Sequence, residues 1–125
     1  MSELHGNIWK VRCTACRRVV ENRDVPIAIL PSCRACGGLL RPHIVWFGEA
    51  LDDRDLQRSA EAAAACDLML IIGTSGVVYP AASLAPLGRA AGAFVVEINL
   101  DATPSSAQAD LAIQGRASEV IPGLL

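Results

Sequence analysis

At 125 residues the chain is long enough for a core that needs no disulfide staples. A formal net charge of -2 and a pI near 5.6 argue against a nucleic-acid surface, which would show a basic excess. Hydrophobic residues reach 52%, but aromatics only 4%, and the strongest apolar run, Leu68 to Ile72, is far too short to span a bilayer.

The opening MSELHGNIWK has no basic flank leading into an apolar core, so no signal peptide is expected. The default setting is cytoplasmic, where cysteines stay reduced and point to metal or chemistry. Residues 1–50 are rich in Cys, Arg, Pro and turn residues and show no sustained periodicity. Within them Cys13, Cys16, Cys33 and Cys36 form two C-x2-C pairs separated by sixteen residues. That spacing suits a four-thiolate zinc site, each pair on a tight turn with both sulfurs aimed at one ion. Four protein ligands leave no open position, so such a zinc is structural. A redox dithiol is the competing reading. Gly37 and Gly38 fit the tight backbone of a knuckle. Cys66, between an alanine-rich helix and a strand, reads as a small inert core residue.

From Leu51 the chain alternates in a regular way. LDDRDLQRSAEAAAAC reads as a helix, with acidic residues in the first turn and alanine inside. DLMLIIG is a continuous apolar run, the pattern of a strand buried on both faces. After the loop TSGVVY, Pro80 suits a helix start. PAASLAPLGRAAG is then helical to Gly92, with Pro86 implying a kink or a late start. AFVVEIN is a second buried strand and DLAIQG a short third. DATPSSAQA is linker-like, and ASEVIPGLL closes as a helix or turn. Strands separated by helices imply parallel pairing through right-handed crossovers, half of a doubly wound α/β sheet.

Ligands of such sheets bind outside the carboxyl ends of the strands. The first strand ends in Gly73-Thr74-Ser75-Gly76 and the second in Glu97-Ile98-Asn99, groups that a nucleotide's phosphate and ribose would engage. Alone this signal is weak, since Asn99 could simply cap its strand. By composition alone Trp46 and Phe47 read as core aromatics and Glu49 as solvated. His43 reads as a surface or rim residue, and Arg12, Arg17, Arg18, Arg23, Arg34 and Arg41 as a solvated basic face.

ELHG, the two cysteine pairs, GGLLRPHIVWFGE, GTSGVVYPAA, VEIN and GRAS follow one another in this order. The series resembles the C-terminal part of the sirtuins, the NAD-dependent protein-lysine deacylases, most like their bacterial members, over essentially the whole chain. The resemblance implies an α/β fold: a partial Rossmann-like parallel sheet, its C-terminal half, with a small zinc-binding domain. Residues 1–50 would be the zinc domain and substrate loop, and residues 51–125 the C-terminal half of the NAD-binding domain. The zinc ligands would be Cys13, Cys16, Cys33 and Cys36. Val45, Trp46, Phe47, Gly48 and Glu49 match one wall of the acyl-lysine channel, and Val78 and Tyr79 the opposite wall. A peptide adding as a strand between these walls would be held largely by its backbone. Gly73, Thr74, Ser75, Asn99, Leu100, Asp101 and Ala117 match segments lining the NAD site. The implied cofactors are NAD and zinc, and the implied partner is an acyl-lysine protein or peptide, with no nucleic acid and no membrane.

The family's chemistry also uses a Gly-Ala-Gly-x-Ser phosphate loop, an arginine after it, a Gln-Asn-x-Asp segment and a Leu-His base, none of them in this sequence. His5, in ELHG, matches a later, non-catalytic histidine by register, so no residue here is assigned to catalysis. The chain alone is therefore expected to be inactive. Without the middle of the sheet it should also expose apolar strand surface, and be poorly soluble or associate with a missing N-terminal half or with itself. The alternative is a non-catalytic, zinc-stabilised module that binds acyl-lysine peptide or a partner.

Overall fold

A computed structural model describes residues 1–124. The chain forms two compact units, Glu3–Asp52 and the segment from Asp53 onward. Among the described residues no helix is long and apolar enough to cross a membrane.

The first unit is a three-stranded antiparallel sheet that the sequence reading missed. Its strands are β1 (Gly6–Cys13), β2 (Val19–Glu21) and β3 (Leu40–Ile44), in the order β2-β1-β3. No alternation announces it, for physical reasons. β2 has three residues, all exposed, and β3 is half-buried along its whole length. β1 shifts register between Asn7 and Val11, which breaks its two-residue period. Pro42 is tolerated because β3 is an edge strand and needs no amide on its outer side. The small core is Val11 and Cys13, joined by Cys33 from the second knuckle.

The second unit follows the expected alternation: α1 (Asp53–Ala65), β4 (Leu68–Ile72), α2 (Leu84–Ala90), β5 (Phe94–Asn99), β6 (Leu111–Gln114) and α3 (Ala117–Val120). The sheet is parallel, in the order β4-β5-β6. Asp53 and Asp55 sit in the first turn of α1, where the helix dipole favours them. A 3-10 turn, Ala81–Ser83, follows Pro80, and α2 begins only at Leu84. Pro86 thus falls in the first turn, where its missing N–H costs nothing. The late start, not a kink, is what the chain adopts.

Two expectations need correction. β4 is not buried on both faces. Met69 lies against Gly88 of α2, whereas Leu68, Leu70 and Ile72 remain exposed. In parallel register they stand beside Phe94, Val96 and Ile98, and Leu111 stands beside Val96. Phe94 and Leu111 are exposed too, so one sheet face is an open apolar surface around the buried Val96 and Ile98. The cause is cover: α2 packs on the Met69 side, and the other side of β4 is left exposed among the described residues. Nor is residues 101–109 a loose linker. Thr103 and Ser106 donate their hydroxyls to the two carboxylate oxygens of Glu97, which is only 2% exposed. That pairing is what allows a charge inside β5.

Candidate functional site

The two cysteine knuckles are built alike. Cys13 N–H donates to the Arg18 carbonyl at 2.9 Å, and Cys33 N–H to the Gly38 carbonyl at 2.7 Å. Arg17 N–H returns to the Cys13 carbonyl and Gly37 N–H to the Cys33 carbonyl. Arg17 and Gly37 both take the left-handed conformation, at φ 60 and 72. Gly38 is required by space: a Cβ there would stand 2.8 Å from the Ala15 Cβ and 3.0 Å from the Cys13 sulfur.

All four sulfurs lie within 4.8 Å of one another. Cys13 and Cys36 are 3.5 Å apart, and Cys16 and Cys33 3.8 Å. Four thiolates bound to zinc at 2.3 Å in a tetrahedron would be separated by about 3.8 Å, so the quartet fits the ion. The Cys16 and Ala15 amides point at the Cys13 sulfur from 3.4 Å and, with Cys16 the stronger, bring its pKa down to about 6. The Gly38 amide favours the Cys36 thiolate, yet Cys13 and the other sulfurs push its pKa up to about 11. One thiolate is welcome among these sulfurs and four are not, unless a cation replaces the protons. Cys66 lies apart and donates its S–H to the Ala63 carbonyl.

β3 runs directly into the segment Val45–Glu49. Val45 N–H donates to the His5 carbonyl at 3.0 Å, so ELHG contributes through its backbone while the His5 side chain is exposed. Glu49 N–H donates to the Trp46 carbonyl at 2.9 Å, and Trp46 N–H to Glu49 Oε2 at 3.0 Å, which closes a turn over Phe47 and Gly48. Trp46 and Phe47 are exposed, Phe47 to 95%, so they are not core aromatics. Glu49 is not merely solvated, since Arg41 contacts both its oxygens, at 2.5 and 3.1 Å. Arg41, with Trp46 N–H assisting, holds the Glu49 carboxyl down to about 2. Nor is Arg41 part of a solvated basic face; nothing in its spacing signals the contact before β3 and its turn are known. His43 is half-buried in β3, and burial, then Arg12 and Lys10, lower its pKa.

In the second unit, Gly73, Thr74 and Ser75 follow β4, Asn99, Leu100 and Asp101 end β5, and Ala117 opens α3 after β6. These residues therefore gather at the carboxyl edge of one parallel sheet. Gly73 N–H donates to the Ile98 carbonyl and Gly115 N–H to the Asn99 carbonyl. Asn99 does more than cap its own strand: its Nδ2 reaches across to the Thr74 carbonyl at 2.6 Å, while its Oδ1 receives Leu100 N–H at 3.0 Å. Thr74 and Ser75 are exposed, and Gly73 carries no side chain, so the backbone there is open to a ligand. Val78 and Tyr79 are exposed just before Pro80, and the Val78 carbonyl accepts Ala82 N–H.

Four clustered thiols at zinc-site spacing, an aromatic turn leaving a β-strand and an exposed, hydroxylated parallel-sheet edge describe an α/β protein with a candidate zinc site and a candidate nucleotide edge. The comparisons narrow this. The model of the Sir2 family matches residues 1–80, and the chain belongs to that family. It is 49% identical to NAD-dependent protein deacylase 2 of Pyrobaculum aerophilum over 124 residues, covering 98% of this chain and 49% of that protein. It is 44% identical to the NAD-dependent protein deacylase of Mycolicibacterium paratuberculosis, covering 98% and 54%. Among solved structures, a Sir2 homolog–NAD complex superposes at a TM-score of 0.89 with 42% identity, covering 97% of this chain and 48% of that one. A Sir2–p53 peptide–NAD+ complex gives 0.86 at 32% identity, covering 98% and 52%. The chain spans about half the length of the curated relatives it matches.

Proposed function

We propose that this chain contributes the zinc unit, the substrate loop and part of the nucleotide edge of an NAD-dependent protein-lysine deacylase in a reducing, cytoplasmic setting. The observation that carries the reading is the sheet edge tied by Asn99 and Thr74, in a chain 41% to 49% identical to proteins named deacylases. Cys13, Cys16, Cys33 and Cys36 hold a structural zinc that fixes the sheet from which the Val45–Glu49 turn projects. Val45, Trp46, Phe47, Gly48, Glu49, Val78 and Tyr79 contact the acyl-lysine peptide. The backbone of an extended peptide supplies most of the affinity, with little demand on its sequence. Gly73, Thr74 and Ser75 offer backbone and hydroxyl groups to NAD, with Asn99, Leu100, Asp101 and Ala117 completing that edge. When bound, NAD supplies the nicotinamide leaving group and the ribose hydroxyl that accepts the acyl group.

The chain by itself does not turn over. Its two histidines serve other ends: His5 through its carbonyl, and His43 within β3. A non-catalytic peptide-binding module is the second reading, favoured by the exposed, pre-formed Trp46–Glu49 turn.

The test is a titration of the isotope-labelled, zinc-loaded chain with NAD and, separately, with an acetyl-lysine peptide, read by NMR. NAD should shift the amides of Gly73 to Ser75 and Asn99 to Asp101, and the peptide those of Val45 to Glu49. Shifts scattered over the open sheet face instead would refute the assignment. Peptide shifts with no NAD shifts would favour the binding module.

A further inference from the structure

The Val45–Glu49 turn carries two exposed aromatic side chains, and a short turn of that kind has no core of its own to order it. Beyond the Val45–His5 and Glu49–Trp46 backbone bonds, one side chain reaches three parts of it. Arg41 Nη1 donates to Glu49 Oε1 at 2.5 Å and Nη2 to Glu49 Oε2 at 3.1 Å, a two-pronged fork on one carboxylate. The same Nη2 donates to the Ile44 carbonyl at 3.2 Å, where β3 ends. The guanidinium lies over the Trp46 ring, 4.2 Å from its centroid. One rigid group thus grips Trp46 by its ring, Glu49 by its carboxylate and the preceding strand by its backbone. Arg12 adds only a single, longer contact to Glu49 at 3.5 Å.

We propose that Arg41 is the positioning residue of the Trp46–Glu49 turn, holding it in its peptide-ready shape before any peptide arrives. This rests on the reading of that turn as the acyl-lysine wall. Arg41 acts through Trp46 and Glu49, by removing the ordering cost that a loose loop would incur on binding. Lysine cannot substitute fully, because an ammonium offers neither the planar fork nor the same stacking surface.

The test uses the zinc-loaded chain in a Trp9→Phe background, so that Trp46 is the sole indole reporter. Arg41→Met, Arg41→Lys and Arg12→Met are compared for zinc content, for quenching of Trp46 emission by acrylamide and for affinity to an acetyl-lysine peptide. Arg41→Met should keep its zinc, expose Trp46 to quencher and lose about tenfold in peptide affinity, the scale of ordering a few side chains. Arg41→Lys should fall between it and the parent, and Arg12→Met should change much less. In the quenching readout, Glu49→Gln combined with Arg41→Met should expose Trp46 no more than Arg41→Met alone, because the fork joins the two.

Unchanged quenching in a folded Arg41→Met chain overturns the proposal, as does an equal loss from Arg12→Met, which would point to net charge and not to the fork. If Arg41→Met loses its zinc, the Arg41→Lys comparison decides by the same two readouts. If the parent binds no peptide, the substrate-wall reading fails, and the quenching series still decides whether Arg41 orders the turn.

Discussion

Asn99 and Thr74 lie at the ends of different strands, yet the Asn99 amide donates to the Thr74 carbonyl across the sheet edge at 2.6 Å. This bond joins the ends of β4 and β5 at the place where a parallel sheet receives its ligand. An asparagine can do this because it donates with one atom and accepts with the other, the Leu100 amide occupying its oxygen. Asn99→Ala should cost roughly 1 kcal/mol of stability. It should also speed hydrogen exchange at the Gly73, Gly76 and Leu100 amides, which are bonded at this edge; exchange rates equal to the parent's would show that the bond orders nothing.

The second prediction concerns the zinc knuckle. Gly38→Ala puts a methyl group into the Ala15 Cβ and against the Cys13 sulfur, and the Cys33 amide depends on the carbonyl of this same residue. Neighbours of metal ligands typically matter by about 10–100-fold in affinity, and a loss in that range is expected here. Competition with a chromogenic chelator measures it. An affinity matching the parent's would mean that the knuckle adapts freely.

Stability should also depend on pH through His43. Burial first, then Arg12 and Lys10 with Arg41 adding, lower its pKa from 6.5, while Glu3 pulls the other way. The unfolded chain therefore takes up this proton before the folded chain does. Stability from this residue is complete above 6.5 and falls as pH drops below that value. Zinc release adds its own acid dependence, so the comparison is with His43→Gln. Urea unfolding at about pH 7.5 and about pH 5.5, on either side of that transition, should show a smaller acid penalty in the variant. An identical penalty in both would remove His43 from the account.

The open sheet face yields a fourth prediction. Leu68, Leu70, Ile72, Phe94 and Leu111 are all exposed on one side of the sheet, and the outer edge of β4 is unpaired among the described residues. Such surface drives association. The chain should sediment as more than a monomer at micromolar concentration, and Leu70→Lys should shift it toward monomer. A compact monomer for the parent would contradict this.

Much of the second unit was legible because its periods are strong. The alanine-rich α1 and the apolar runs of β4 and β5 leave little choice of element, and Pro86 marks where α2 can begin. Burial was less legible: a run such as Leu68–Ile72 reads as two-sided whether or not anything covers its second side. Residues 101–109 look like a linker because hydroxyls there partner Glu97, and nothing in the local sequence announces that pairing. In the first unit the cysteine spacing reveals the knuckles, but the sheet that carries them is hidden by a three-residue strand, a register shift and Pro42. Arg41 looks like part of a basic face in the sequence, since only the fold brings it against Trp46 and Glu49.

The most direct test of the deacylase reading supplies what the chain is proposed to lack. The zinc-loaded chain would be incubated with NAD and acetyl- or succinyl-lysine peptide, alone and together with the N-terminal half of the Pyrobaculum aerophilum relative, with nicotinamide and deacylated peptide followed by mass spectrometry. The account predicts no product from the folded chain alone and product from the mixture. Product from the chain alone would contradict the absence of a catalytic base, and His5→Ala would follow. No product from a mixture shown to associate would contradict the deacylase reading itself.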